Sequence, residues 1–197
     1  MTAAITAADA GSSVIIVESQ SMVGGNSARS TGGLNAAGTE AQQQNTFDEA
    51  AGVEKTLASA AEKYADNETI TALAAKVTEQ WDAYQSNPSG YFDSVELMEL
   101  DTMIGGKGIN NPELVETLCA NSSDAIDWLA SINADLTSVS SFGGASVKRI
   151  HRPVNAEGKT VAVGSYLTPI LEKTLNDAGV TVMLNTTADS ILVDDAG

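Results

Sequence analysis

One cysteine and one histidine are all that 197 residues provide of those two side chains. Cys119 has no partner for an internal disulfide, and with His151 it cannot supply the four nitrogen or sulfur ligands of a structural zinc site. Basic residues are also scarce, with 10 Lys and Arg against 26 Asp and Glu and a formal net charge of −16. That field repels nucleic-acid phosphates and anionic lipid surfaces, which excludes both as general partners. An anionic substrate would need a locally basic pocket. No apolar run reaches the length needed to span a bilayer, and the N-terminus lacks the basic region of a signal peptide. These absences leave localisation open. Hydrophobic content of 43% and charged content of 18% are those of an ordinary globular protein long enough for one sizeable core.

What is present is concentrated between Glu18 and Thr39. Residues 2–10 are alanine-rich and helical in character, and Gly11 suits the left-handed position after a helix. Val14–Val17 form a short continuous apolar run, the pattern of a parallel strand covered on both faces. Glu18 then stands at the strand end, where dinucleotide-binding units place the acid that takes a ribose hydroxyl pair. A strand-end acid is by itself more often only solvated. The run GGNSARSTGGLNAAGT at 24–39 adds weight, because its two Gly-Gly pairs allow close backbone approach or positive φ, and Asn26 and Ser27 add short polar donors. The plain structural alternative is an irregular glycine loop between sheet and helices.

Downstream, residues 47–85 carry apolar positions at helical spacing, and Asn87–Gly90 breaks them. A short helix is expected over 92–104, ending at Gly105 and Gly106. Asn111-Pro112-Glu113 is a helix start, and an apolar stripe through Leu114, Val115, Leu118, Cys119, Ser122, Ala125, Ile126 and Leu129 predicts one helix running to about Ser131. Cys119 on that stripe reads as a small core residue. A glycine- and serine-rich loop leads to the basic knot KRIHRP, then to a helix over about 165–178 closed by Gly179. Strands are expected at 180–185 and 190–193, and a turn at 195–197. Arg149, His151 and Arg152 form the one strong basic cluster; they either face an anionic substrate or brace a loop by pairing with nearby carboxylates and carbonyls. No G-x-S-x-G elbow supports His151 as a triad base.

The ordered segments VIIVES(x)4GGNSARSTGGLNAAGT, DTMIGGKGINNPELVETL, SSDAIDWLASINADLTSV and FGGASVKRIHRP resemble the flavoprotein subunit family of fumarate reductases and succinate dehydrogenases. The nearest group is the soluble flavocytochrome c-type fumarate reductases and their relatives, which include urocanate reductases. The resemblance covers nearly the whole chain and implies bound FAD. It implies that Glu18 takes the adenosine ribose, that Asn26 and Ser27 lie along the pyrophosphate and ribityl region, that Gly32 and Gly33 approach the isoalloxazine, and that backbone at Ala188 grips the adenine. The implied fold is α/β: a partial Rossmann-like FAD-binding domain with a large helical insertion. Residues 1–39 would be the back half of the dinucleotide-binding unit, 40–140 the helical region, and 141–197 the return to the FAD domain. The stretch at about 54–90 is longer than in the shortest relatives and is expected to be a surface elaboration.

Measured against that family, the chain lacks the first strand and the G-x-G-x-x-G turn, and the residues that clamp the dicarboxylate and deliver the proton would lie in later sequence. The expectation is an internal fragment with no catalytic residue and no metal site, whose parent reduces the C=C bond of an unsaturated carboxylate such as fumarate by hydride transfer from flavin. The isolated chain is expected to bind FAD poorly and to have no reductase activity. A haem domain, an FMN domain or a separate protein would donate electrons. The contrasting expectation is a catalytically inactive module that acts only through protein contacts.

Overall fold

The computed structural model describes residues 1–193. In chain order the elements are α1 (Thr2–Asp9), β1 (Ile15–Val17), β2 (Leu34–Asn35), α2 (Ala50–Lys63), α3 (Glu68–Ser86), α4 (Val95–Gly105), α5 (Pro112–Ala120), α6 (Ser122–Ser131), β3 (Ser138–Ser140), β4 (Ile150–Arg152), α7 (Val163–Asp177) and β5 (Thr181–Met183). Short 3-10 turns occupy Ser27–Arg29 and Glu40–Gln44. The chain divides into two compact units.

The first unit comprises residues 1–32, 132–134 and 161 onward. Its sheet is a parallel pair in which Ile15, Ile16 and Val17 of β1 face Thr181, Val182 and Met183 of β5. The expected burial of β1 on both faces is corrected: Ile15 is 61% exposed, and only Ile16 of the three is half-buried. A strand with one neighbour and helix cover on one face buries alternate residues, not all of them. Gly11 takes φ +86° after α1, and Gly179 φ +70° after α7, where left-handed backbone ends each helix. Residues 190–193 form no strand; Ile191, Leu192 and Val193 are exposed. An apolar, β-branched run makes a strand only where a neighbouring strand takes its hydrogen bonds, and none does so here among the described residues. The turn expected at 195–197 lies outside the described residues.

The second unit comprises residues 33–131 and 135–160. Helices α2 to α4 pack around a core that includes Val53, Ile70, Val77, Trp81, Leu97, Leu100 and Met103. Phe47 anchors an aromatic group, with its ring centroid 5.8 Å from Trp81, 5.3 Å from Tyr84, 5.4 Å from Tyr91 and 5.9 Å from Phe92. The stretch at 54–90 is therefore not a surface elaboration, since its apolar side supplies much of this core. Caps explain the helix starts: Asn67, Ser94 and Asn111 each accept hydrogen bonds from first-turn N–H groups.

The single helix expected over 112–131 is two helices broken at Asn121. Ser122 stands at the break and joins a local bond to a long-range one. Its hydroxyl donates to the Cys119 carbonyl at 2.8 Å and accepts from the Ala37 N–H at 3.1 Å, which offers the backbone an alternative to the helical ladder. The apolar stripe is also narrower than its spacing implies: Val115 and Cys119 are buried, while Leu114 and Leu118 are 67% and 59% exposed. The basic knot carries a strand that periodicity missed. β4 is the centre of a three-stranded antiparallel sheet in the order β2-β4-β3, with Leu34 opposite His151 and Ser138 opposite Arg152.

Candidate cofactor-binding residues

In the first unit, β1 ends at Val17 and Glu18 follows it. The Glu18 backbone continues the parallel pairing, donating to the Met183 carbonyl at 2.9 Å and accepting from the Thr186 N–H at 2.9 Å. Ligands of open α/β sheets bind outside the carboxyl ends of parallel strands. A cavity of about 270 Å³ lies at that end, lined by Met1, Ile16, Glu18, Val23, Gly24, Gly25 and Ser27. Glu18 Oε1 accepts from the Gln20 N–H at 2.8 Å, and no hydrogen bond reaches Oε2 among the described residues. The carboxylate is thus fixed through one oxygen and has the other available to a ligand hydroxyl.

The glycines shape this cavity. Gly24 takes φ +98° and Gly25 φ +47°, and a Cβ at Gly24 would stand 2.7 Å from Thr168 Cγ2 on α7. Asn26 caps the turn Ser27–Arg29 without a side-chain hydrogen bond to it, and the Asn26 and Ser27 side chains are both exposed. Ala188 is exposed in the segment after β5, whose preceding residues Asn185 and Thr186 bond to the backbone of Gln20 and Glu18. Glu18, Asn26, Ser27 and Ala188 therefore lie in one unit, and Gly32 is the last residue of that unit's first segment.

Gly33 opens the second unit, and its close approach is to protein. A Cβ there would sit 2.3 Å from the His151 carbonyl oxygen and 2.8 Å from Arg152 Cγ. A Cβ at Gly32 would meet nothing within 4 Å.

Arg149 and His151 are buried in the second unit. Arg149 makes a fork with Asp93, with Nη2 to Oδ1 at 2.6 Å and Nε to Oδ2 at 2.9 Å, and Nη1 reaches Asp101 Oδ2 at 2.8 Å. Burial alone would press the guanidinium toward neutrality; the two carboxylates outweigh it and hold its pKa above the ordinary arginine value. Asp101 also accepts from Ser146 and Thr56, and Gln42 bridges Asp93 to the Lys148 carbonyl. This is a braced loop, with every guanidinium contact named here going to a carboxylate. Arg152 is half-buried at the end of β4. His151 donates through Nδ1 to the Arg149 carbonyl at 2.9 Å, so Nε2 accepts from the Thr39 hydroxyl at 2.6 Å. Burial lowers its pKa and keeps the ring neutral. Cys119 is likewise inert, its thiol pushed up to about 11 by burial.

Sequence reasoning missed Thr39, Gln42, Asp93 and Asp101. Asn35 Oδ1 is buried without a hydrogen bond and lines a cavity of about 240 Å³ with Met98, Asp101, Thr102, Phe142 and Arg149. Asp101 had a signal: an acid between Leu100 and Met103 in a helix whose other residues from Leu97 to Met103 are mostly apolar. Among the described residues no group of His, Cys, Asp or Glu could hold a metal ion. Among the described residues no helix is long and apolar enough to cross a membrane.

A sequence profile of the FAD binding domain matches residues 1–92 and 80–197. Among known proteins, the fumarate reductase (cytochrome) of Shewanella frigidimarina is 34% identical over 195 residues, covering 99% of this chain and 26% of that protein. The NADH:fumarate oxidoreductase of Klebsiella pneumoniae (strain 342) is 30% identical over 193 residues, covering 98% of this chain and 16% of that protein. The solved open conformation of a flavocytochrome c3 fumarate reductase superposes with a TM-score of 0.70 at 29% identity, over 98% of this chain and 26% of that one. The chain thus spans about a quarter or less of the length of these relatives. Its mixed α/β structure, helices with small sheets, matches their FAD-binding fold. The cofactor is FAD, and the chain belongs to the FAD binding domain family, on the fumarate reductase side of it.

Proposed function

We propose that this chain supplies the adenosine and pyrophosphate side of the FAD site in an oxidoreductase that reduces the C=C bond of a small unsaturated carboxylate such as fumarate. The observation that carries the reading is the cavity at the carboxyl end of β1, with Glu18 held through one oxygen at its wall and Gly24, Gly25 and Ser27 around it. On this reading the β1–β5 pair is part of a Rossmann-like sheet. Residues 1–39 and 141–197 belong to the dinucleotide-binding framework, and 40–140 are a helical insertion. Bound FAD supplies the hydride chemistry. Glu18 accepts the ribose hydroxyls, Asn26 and Ser27 face the pyrophosphate and ribityl region, Gly32 and Gly33 keep backbone N–H groups near the isoalloxazine, and backbone at Ala188 meets the adenine. Arg149 and His151 act as braces: the Asp93 and Asp101 contacts use the arginine's charge inside the protein.

The substrate class and an external electron donor rest on the relatives, whose names include fumarate reductase and NADH:fumarate oxidoreductase. Titrating the 15N-labelled chain with FAD tests the cofactor reading. Weak but saturable amide shifts are expected at Glu18, Gly24, Gly25 and Ser27, and ADP should reproduce those nearest Glu18. Glu18→Ala should weaken binding by about tenfold, the loss of one charge-assisted hydrogen bond. Binding unchanged by that substitution would overturn the assignment.

A further inference from the structure

We propose that a groove between α3, α4 and α5, remote in sequence from the FAD-site residues, binds a primary alkylammonium group. The groove encloses about 320 Å³. Leu73 from α3, Met103 from α4 and Val115 from α5 form an apolar lining, and each is more than nine-tenths buried. Glu99 of α4 lines the same groove and is only 8% exposed. Its carboxylate accepts no hydrogen bond and makes no ion pair among the described residues. The Glu99 residue as a whole is buried while its carboxylate oxygens keep contact with the groove, so the acid faces that space without a protein partner, and a cation entering the groove would complete it.

The surrounding charges point the same way. Glu116 on α5 and Glu96 on α4 act on Glu99 as like charges, and among the described residues Lys76 on α3 is the one cation that acts on it. Burial is the largest cause raising the Glu99 pKa, the two carboxylates add to it, and Lys76 opposes it weakly. Two carboxylates, Glu99 and Glu116, against the one ammonium of Lys76 leave the groove lining short of positive charge, and Glu96 nearby adds to the deficit. A metal ion does not suit it, since no metal-ligating group of side chains exists among the described residues and the walls are apolar. An ammonium on a methylene chain does suit it. The head offers three donors to Glu99 and Glu116, and the stem packs on Leu73, Met103 and Val115 as a lysine stem covers apolar surface. The same chemistry is offered by a free alkylamine and by a lysyl side chain of another protein.

The test is a low-salt titration of the 15N-labelled chain with n-pentylamine and, separately, with Nα-acetyl-lysine amide. Saturable shifts are expected at Leu73, Met103 and Val115, with n-pentanol producing none. The tighter of the two ligands identifies the source. Glu99→Gln keeps the side-chain shape and should cost about tenfold or more in affinity, Glu116→Gln should cost less, and Lys76→Ala at the exposed rim should tighten binding. Lowering the pH to protonate Glu99 should abolish it. The proposal is overturned if neither amine gives saturable shifts in these helices, or if Glu99→Gln leaves the affinity unchanged. A Glu99 carboxyl that holds its proton at neutral pH would produce the first of these results.

Discussion

Gly32 and Gly33 are adjacent, yet they answer different constraints. Gly33 lies against the backbone of β4, where an added methyl would overlap the His151 carbonyl oxygen, whereas Gly32 has open space around its Cα. Gly33→Ala should therefore destabilise the fold by about 1–3 kcal/mol, the usual range for forcing a methyl into a packed site. Gly32→Ala should leave a urea midpoint nearly unchanged, and any effect should appear only in FAD binding. Measuring both variants both ways separates packing from cofactor contact. His151 gives a second residue-level expectation. Its ring stays neutral in the fold because burial lowers its pKa, while in the unfolded chain it takes a proton near the ordinary value of about 6.5. Below that pH the unfolded state binds more protons, so stability is intact above about 6.5 and is lost as the pH falls through the lowered folded value. Urea midpoints measured across this window should fall toward acid, and His151→Asn should flatten that limb.

Among the elements, the helices α3 and α5 and the parallel strands β1 and β5 were legible, and the strands of the second unit were not. The periodic apolar residues of α3 and the cap-and-proline start of α5 predicted those helices because a 3.6-residue repeat and a first-turn hydrogen bond are local properties. The sheet β2-β4-β3 has strands of two or three residues. No period can register over so few positions, and β2 finds its partner β4 more than 100 residues along the chain, with Leu34 opposite His151. The break at Asn121 was hidden for the same reason, since it depends on Ser122 meeting Ala37 85 residues away. Ser122→Ala should cost about 1–3 kcal/mol, because the buried Ala37 N–H would lose its acceptor. A urea midpoint that did not move would mean that the α5–α6 break does not need this hydroxyl. The acid after β1 and the glycine pattern made the candidate FAD contacts readable, because backbone needs such as positive φ at Gly24 and Gly25 are written in residue type. The Arg149–Asp93–Asp101 network was not readable, because which acids meet an arginine is decided by packing. Arg149→Met would leave two carboxylates facing one another and should cost about 3–5 kcal/mol.

At the scale of the whole chain, the formal charge of −16 works against compactness. Raising the ionic strength from about 0.01 to about 0.15 M shortens the screening length from about 30 to about 8 Å. The thermal midpoint should rise over that range; a fall would show that attractive pairs such as Lys148–Asp48 outweigh the repulsion. The aromatic group around Phe47 has a further consequence for how unfolding can be observed. Both tryptophans, Trp81 and Trp128, belong to the unit of residues 33–131 and 135–160, and the unit that carries Glu18 contains none. Indole emission is therefore blind to that unit, and a melt followed by it alone would report a native protein after the cavity at the end of β1 had already opened, whereas Tyr166 emission comes from the unit that carries Glu18.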